Sequence, residues 1–198
     1  MAFPVNLILT LVSFSSLLHL SSATFTPPEN YLLNCGATTN TSFFSTRSFL
    51  GDSSTQGSTF LTADRSISLS DQNPPPDSPA LYHTARIFPG GSPPSPAYKL
   101  HLTTTNATHF IRLHFAPFKA SNFNLKSAKF SVLINGFSVL NTFTTNTISV
   151  KEFILKIDSF VLEISFLPAK ASTFSFINAI EVFSAPKDYI IDRLTVEE

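Results

Sequence analysis

The stretch Phe130 to Phe143, FSVLINGFSVLNTF, carries the clearest local signal in the chain. Asn135 and Gly136 can take the two positive-φ positions of a type I′ turn, whose twist matches that of the flanking strands. The four letters FSVL stand on both sides of this turn, and an echo this short indicates two paired strands rather than a repeat. The sequence therefore predicts a β-hairpin over residues 130–143.

Other segments have the length and the Phe, Val, Ile and Thr content of strands. They are Ala80–Phe88, Tyr98–Leu102, His109–Phe115, Lys151–Ile157, Val161–Phe166 and Phe174–Phe183. Two proline-rich stretches, Asp71–Pro79 and Pro89–Pro96, are predicted to be surface loops. Many short strands separated by turns predict an all-β protein, and an antiparallel β-sandwich rather than a barrel.

The segment 109–115 shows how the strands are expected to face. His109, Ile111, Leu113 and Phe115 alternate with Phe110, Arg112 and His114, so the two sets lie on opposite faces of the sheet. By the same alternation, Asn178 is in phase with the apolar residues around it and is predicted to point inward. A buried amide needs hydrogen-bond partners, so we expect Asn178 to bind a neighbouring backbone.

The charge balance and the motifs exclude several classes of function. Lysines and arginines number 13, aspartates and glutamates also number 13, and charged residues make up only 13% of the chain. A balanced chain without a basic stripe argues against a nucleic-acid or anionic-membrane surface. GxSxG, HExxH, CxxC and phosphate-loop motifs are missing, and Asp52 and Asp64 are an unconvincing glycosidase pair. We therefore predict no enzyme activity, no cofactor and no metal site.

The N-terminus predicts secretion. Residues 1–23 have an apolar run followed by Ser21-Ser22-Ala23, as a signal peptide does, although a buried or anchored N-terminal segment is the alternative. No later apolar stretch is long enough to span a membrane. Two sequons, at Asn40 and Asn106, then become glycosylation candidates. The single cysteine, Cys35, has a free thiol, an intermolecular bond, or a partner in a missing segment.

Five stretches occur in the same order as in one known family. They are YLLNCG (31–36), LYHTARIF (81–88), FIRLHFAPF (110–118), KEFILKI (151–157) and FINAIEVFSAPKDYIID (176–192). The chain resembles plant malectin-like domains, most of all the first of the two in the ectodomains of the Catharanthus roseus receptor-like kinase family, of the Feronia and Theseus type. The resemblance implies a jelly-roll-type sandwich over residues 24–185. Residues 186–198 then resemble a truncated inter-domain linker.

The resemblance also implies a function. It predicts a non-catalytic extracellular module that binds pectin-type cell-wall carbohydrate or a secreted signalling peptide. The alternative is a truncated decoy that associates with full-length receptor kinase ectodomains or sequesters their ligand. Either role places the protein in the cell wall or apoplast, or on the outer face of the plasma membrane if it is part of a longer receptor.

The ligand-binding candidates follow from the chemistry that such ligands need. Sugar sites use aromatic faces and a few planar polar groups, and a guanidinium can pair with a uronate carboxylate. The candidates are Tyr82, Arg86, Arg112, His114 and Phe115, of which the last two stand where the resemblance to animal malectin implies a pair of aromatic residues. Animal malectin, a more remote relative, has an aromatic residue where Ile87 stands here, so part of its sugar platform is missing. Core packing for the aromatics, and interior hydrogen bonding for the arginines, are the alternatives.

Overall fold

The hairpin at residues 130–143 is confirmed in the computed structural model, which describes residues 25–44, 46–91, 97–187 and 189. Asn135 and Gly136 have φ values of 47° and 83°, as a type I′ turn requires. The flanking strands are antiparallel, with Ile134 opposite Phe137. The signal peptide predicted at residues 1–23, and most of the predicted linker, lie outside the described residues.

The described residues form strands joined by turns and three short 3₁₀ turns. The strands are β1 (Asn30–Asn34), β2 (Thr41–Phe43), β3 (Arg47–Gly51), β4 (Ile67–Ser70), β5 (Thr84–Pro89), β6 (Tyr98–His101), β7 (Ala107–Phe115), β8 (Lys119–Ala120), β9 (Phe123–Asn124), β10 (Phe130–Ile134), β11 (Phe137–Phe143), β12 (Ser149–Ile157), β13 (Val161–Pro168), β14 (Phe174–Ile177) and β15 (Ala179–Ser184). No helix in this part of the chain is long and apolar enough to cross a membrane.

The strands form a sandwich of sheets. The largest sheet has the order β12-β7-β15-β1-β3-β2, and it lies against a four-stranded sheet (β11-β10-β13-β6) and a three-stranded sheet (β14-β5-β4). Phe115 of β7 shows the packing between these layers, because its ring contacts Phe130 of β10 at 5.8 Å and Phe176 of β14 at 5.9 Å between centroids. All three rings are fully buried. The antiparallel sandwich predicted from the sequence is therefore confirmed, with one parallel pair between β1 and β3.

The strand predicted at Ala80–Phe88 is wrong in its first half. Residues Ala80–Tyr82 form a 3₁₀ turn after Pro79, and β5 begins only at Thr84. The Tyr82 N–H donates to the Pro79 carbonyl at 2.8 Å, which closes the turn. Apolar content alone does not distinguish a buried turn from a strand, and Leu81 and Tyr82 are both buried here.

The strand predicted at Phe174–Phe183 is divided at Asn178. The residues before it belong to β14 in the three-stranded sheet, and those after it belong to β15 in the six-stranded sheet. The inward direction predicted for Asn178 is confirmed, since the residue is fully buried. Its Oδ1 accepts from the Ala116 N–H at 2.7 Å, and its Nδ2 donates to the Thr84 carbonyl at 2.8 Å. The amide thus fixes the corner where the chain changes sheets.

We expect Asn178→Ala to lower the free energy of unfolding by about 2 kcal/mol, because the Ala116 N–H and the Thr84 carbonyl would both lose a buried partner. Urea unfolding followed by fluorescence or circular dichroism measures this change. Asn146→Ala, at an exposed position, is the matched control and should change stability by less than about 0.5 kcal/mol. Equal effects of the two substitutions on stability would contradict the conclusion that Asn178 fixes the corner between the two sheets.

Candidate functional site

Three of the five candidate residues meet on the face of the six-stranded sheet that points away from the main core. A smaller apolar cluster covers part of this face, so Tyr82 and His114 are buried there while Arg112 is partly exposed. Arg112 and His114 lie on this outer face of β7, opposite the buried Ile111 and Leu113, as the alternation predicts. Tyr82 reaches the same place from its 3₁₀ turn, with its hydroxyl 3.1 Å from Nδ1 of His114. The structure therefore brings together residues that are 30 positions apart in sequence.

A buried carboxylate joins these residues, and the sequence analysis did not identify it. Glu181 of β15 lies opposite Arg112 in the register and is only 1% exposed. Its Oε1 is 2.8 Å from Nε2 of His114, and its Oε2 is 3.5 Å from Nη1 of Arg112. Arg47 of β3 completes the arrangement, with Nη1 3.0 Å from Oε1 and Nη2 bonded to Oε2. We call Arg47, Tyr82, Arg112, His114 and Glu181 the outer-face cluster.

The electrostatics of the outer-face cluster centre on Glu181. Burial by itself would raise its pKa, but hydrogen bonds from His114 and Arg47 and the charge of Arg47 outweigh burial and lower the pKa to about 2. Glu181 is therefore ionised at neutral pH. A carboxylate can only accept, so Nε2 of His114 must carry a proton. Burial, together with the charge of Glu181, raises the pKa of Tyr82, so its phenol is neutral.

An aromatic rim borders the outer-face cluster. The Phe43 ring lies 6.0 Å from Tyr82 and 6.4 Å from the imidazole of His114. Phe44 contacts Phe43 at 4.2 Å, is 76% exposed, and has a φ of 49°. A positive φ is unfavourable for a bulky residue, and such strain concentrates at functional sites. Phe44 therefore offers an open ring face next to Phe43, and nothing in the sequence pattern predicted it.

The other two candidates lie inside the protein. Phe115 is in the core between the layers, so its ring is not available to a ligand at the surface. Arg86 is 6% exposed, with Nε 3.1 Å from Oδ2 and Nη2 2.7 Å from Oδ1 of Asp52. This geometry matches the alternative that the sequence left open, a guanidinium bound to an interior carboxylate. Asp52 is fully buried while Asp64 is exposed, so these two carboxylates do not form a pair.

None of the five candidates lines either of two grooves on the surface of the described residues. One has a volume of about 810 Å³ and lies between Arg65, Phe88 and Lys170. The other, of about 470 Å³, lies between β1 and β3 and includes Arg47. In the described part of the chain, no group of three or more His, Cys, Asp or Glu side chains could hold a metal ion. The two sequon asparagines, Asn40 and Asn106, are both exposed.

Comparison with known proteins gives the family. The family model described as Malectin-like domain matches residues 33–195. A probable receptor-like protein kinase of Arabidopsis thaliana (At5g24010) is 68% identical over 196 residues, which cover 98% of this chain and 23% of the kinase. The receptor-like protein kinase THESEUS 1 of Arabidopsis thaliana is 36% identical over 177 residues, 87% of this chain and 20% of THESEUS 1. The chain thus spans about a fifth of the length of these relatives.

A solved structure agrees with the sequence relatives. The crystal structure of the plant peptide RALF23 in complex with FER and LLG2 matches with a TM-score of 0.66 and 27% identity, covering 88% of this chain and 44% of the matched chain. The resemblance to receptor-kinase ectodomains that the sequence indicated is confirmed, and the chain belongs to the malectin-like domain family.

Proposed function

We propose that the protein is a non-catalytic extracellular binding module, and that the outer-face cluster binds an acidic, pectin-type polysaccharide of the cell wall. One observation carries this proposal: Arg47 and Arg112, with side chains 31% and 35% exposed, are held on one buried carboxylate. The open ring of Phe44 contacts Phe43, which borders His114 of the same cluster. Nε of Arg47 and Nη2 of Arg112 take no part in these bonds, so each guanidinium can still donate to a second anion. Uronate carboxylates supply such anions at every sugar ring.

The cluster has a rim charge that a ligand can replace. Glu152 of β12 bonds to Nε of Arg112, and both side chains are substantially exposed, at 43% and 35%. Exposed ion pairs of this kind contribute little to stability. A uronate can therefore take the place of Glu152 and accept two hydrogen bonds from Arg112. The ring of Phe44 would then cover the apolar face of a neighbouring sugar.

We expect Arg112→Gln and Arg47→Gln each to weaken binding of an oligogalacturonate about tenfold, the loss of about 1.4 kcal/mol that one charge-assisted contact represents. Isothermal titration calorimetry on the secreted chain measures the affinity. Arg65→Gln is the matched control, since Arg65 is an exposed arginine outside the cluster.

Two outcomes would count against the carbohydrate proposal. If Arg65→Gln and the cluster variants lose the same affinity for the oligogalacturonate, the binding reflects only general charge attraction. If an uncharged galactan oligomer binds as tightly as the oligogalacturonate, the carboxylate is not what the cluster recognises. Thermal unfolding of each variant shows whether a loss of binding follows from a loss of folding, because Arg47 also contacts Glu181.

Peptide binding is the second candidate function. It is supported by the complex of the similar protein FER with the RALF23 peptide and LLG2. Titration of RALF23 into the chain, with and without LLG2, tests this function directly. The chain could also act by associating with full-length receptors or by sequestering their ligand, and competition of excess chain with FER for RALF23 tests that mode.

An extracellular location of the protein is part of the same proposal. The relatives are receptor kinases and the matched structure contains an ectodomain-type chain, which supports an extracellular site in the cell wall or on the outer face of the plasma membrane. The signal sequence at residues 1–23 and N-linked glycans at Asn40 and Asn106 are part of this proposal. The exposure of both asparagines leaves room for the glycans.

A further inference from the structure

Strands β1 and β3 are paired at only one end. Their parallel register joins Leu33 with Leu50 and Asn34 with Gly51, and the Asp52 N–H donates to the Asn34 carbonyl at 3.0 Å. The preceding residues, 30–32 of β1 and 47–49 of β3, are outside this register. The two strands therefore separate toward their N-terminal ends and leave a wedge in the middle of the six-stranded sheet.

The backbone of β1 directs hydrogen-bonding groups into this wedge. On its other side β1 pairs with β15 along its whole length. The Ser184 N–H donates to the Glu29 carbonyl at 3.2 Å, and the Cys35 N–H donates to the Asn178 carbonyl at 2.8 Å. Because backbone direction alternates along a strand, the residues at even positions, Asn30 and Leu32, face the wedge.

The backbone of β3 faces the wedge in the same way. The Asp52 N–H points to β1, so the alternation turns Leu50 and Ser48 toward β1 as well. Phe49 and Arg47 instead face β2, with which they are in register. Asn30 and Ser48 thus have no partner across the wedge in the register of the described strands. Strand edges with open backbone groups are templates for an added strand.

The wedge is also a groove with two different sides. Its volume of about 470 Å³ lies within the range of ligand sites. On the core side, Tyr31 and Phe60 meet edge to face at 5.5 Å and are partly buried. On the outer side is Arg47. The residues that line the groove include one cation, Arg47, and no carboxylate.

We propose that an extended segment of a partner polypeptide inserts between β1 and β3 as an added strand. The backbone groups of Asn30 and Ser48 would pair with it, as in other cases of β-strand addition. Successive side chains of a strand point to opposite faces, so the segment carries an apolar residue against Tyr31 and Phe60 next to an acidic residue near Arg47. This inference rests on peptide binding, the second candidate function proposed above, and it assigns a site to that binding.

To test this proposal, random ten-residue peptides displayed on phage are selected for binding to the secreted chain. The affinity of the selected peptides is then measured for two variants. Ser48→Pro removes an N–H that faces the wedge. Ser42→Pro is the matched control, because Ser42 is an exposed serine opposite Ser48 in β2 whose N–H points away from β3. Selected peptides should bind Ser48→Pro at least tenfold more weakly and Ser42→Pro unchanged, and should favour an acidic residue beside an apolar one.

Hydrogen–deuterium exchange on the unaltered chain gives a second measurement that does not depend on how Ser48→Pro folds. A bound peptide should protect the amides of Leu32 and Ser48. Peptides that bind Ser48→Pro equally well, protection elsewhere, or no enrichment at all would overturn the added strand. RALF23 binding without protection at these amides also overturns it while leaving peptide binding intact, whereas failure of RALF23 to bind counts only against the proposed function.

Discussion

Asp52→Ala should lower the free energy of unfolding by about 3–5 kcal/mol, the cost of removing one partner from a buried ion pair. The Asp52 carboxylate is fully buried and accepts two hydrogen bonds from Arg86. It also accepts from the Tyr98 hydroxyl at 2.6 Å and from the Gly36 N–H at 2.7 Å. The substitution would leave a buried guanidinium, a buried phenol and a backbone amide without their acceptor.

Urea unfolding of wild type, Asp52→Ala and Asp64→Ala measures this effect, and the exposed Asp64 should change stability by less than about 0.5 kcal/mol. A double-mutant cycle with Arg86→Met adds a sharper criterion. If the buried pair is the cause, Asp52→Ala/Arg86→Met should be more stable than Asp52→Ala alone, because methionine removes the unpaired charge. A loss below about 1 kcal/mol in Asp52→Ala would show that the pair is not essential to the fold.

The same buried group determines the state of Cys35. The thiol is fully buried, and burial together with the charge of Asp52 raises its pKa well above the ordinary value. A protonated, inaccessible thiol is a poor nucleophile. Of the three states that the sequence left open, the full burial of the thiol favours the free one.

The strands that could be predicted from the sequence are those with a strong local signal. The turn at Asn135-Gly136 and the alternation in β7 are both readable within one short window. β1 to β4 have at most five residues each, and β2 and β4 consist half or more of serine and threonine, so their periodicity is weak. The break at Asn178 depends on its bonds to Ala116 and Thr84, which are distant in sequence.

The candidate site could be predicted only in part, for the same reason. Arg112 is identifiable because a mid-strand arginine stands out among apolar neighbours, whereas His114 is a candidate only through the resemblance to animal malectin. Their shared partner Glu181 and the opposing Arg47 are 134 residues apart, and the register that joins them cannot be read from a single sequence. The partner of Arg86, Asp52, is likewise distant in sequence, in the turn after β3, which is why Arg86→Ala would test the core rather than a ligand site.

Glu181→Gln should lower the free energy of unfolding at neutral pH by about 3 kcal/mol, and this loss should shrink as the pH falls. The pKa of Glu181 is about 2 in the fold, against an ordinary value of 4.5. A carboxyl group whose pKa is lowered by folding stabilises the folded protein at pH values above its ordinary pKa. This stabilisation is lost as the pH falls through the pKa of the group in the folded protein. A difference of this size corresponds to about 3 kcal/mol, and little of it is screened by solvent because Glu181 is buried.

Chemical denaturation of wild type and Glu181→Gln at several pH values between 7 and about 2 measures this dependence. The gap, which is the difference in free energy of unfolding between the two proteins, should have its full size at about pH 7. It should begin to decrease below about pH 4.5 and be close to zero at about pH 2. Glu163→Gln is the control, since Glu163 forms only an exposed pair with Lys99 at 2.8 Å. A gap that stays constant with pH would mean that Glu181 contributes shape rather than charge, and Arg47 and Arg112 would then lack the anion that holds their guanidiniums toward a ligand.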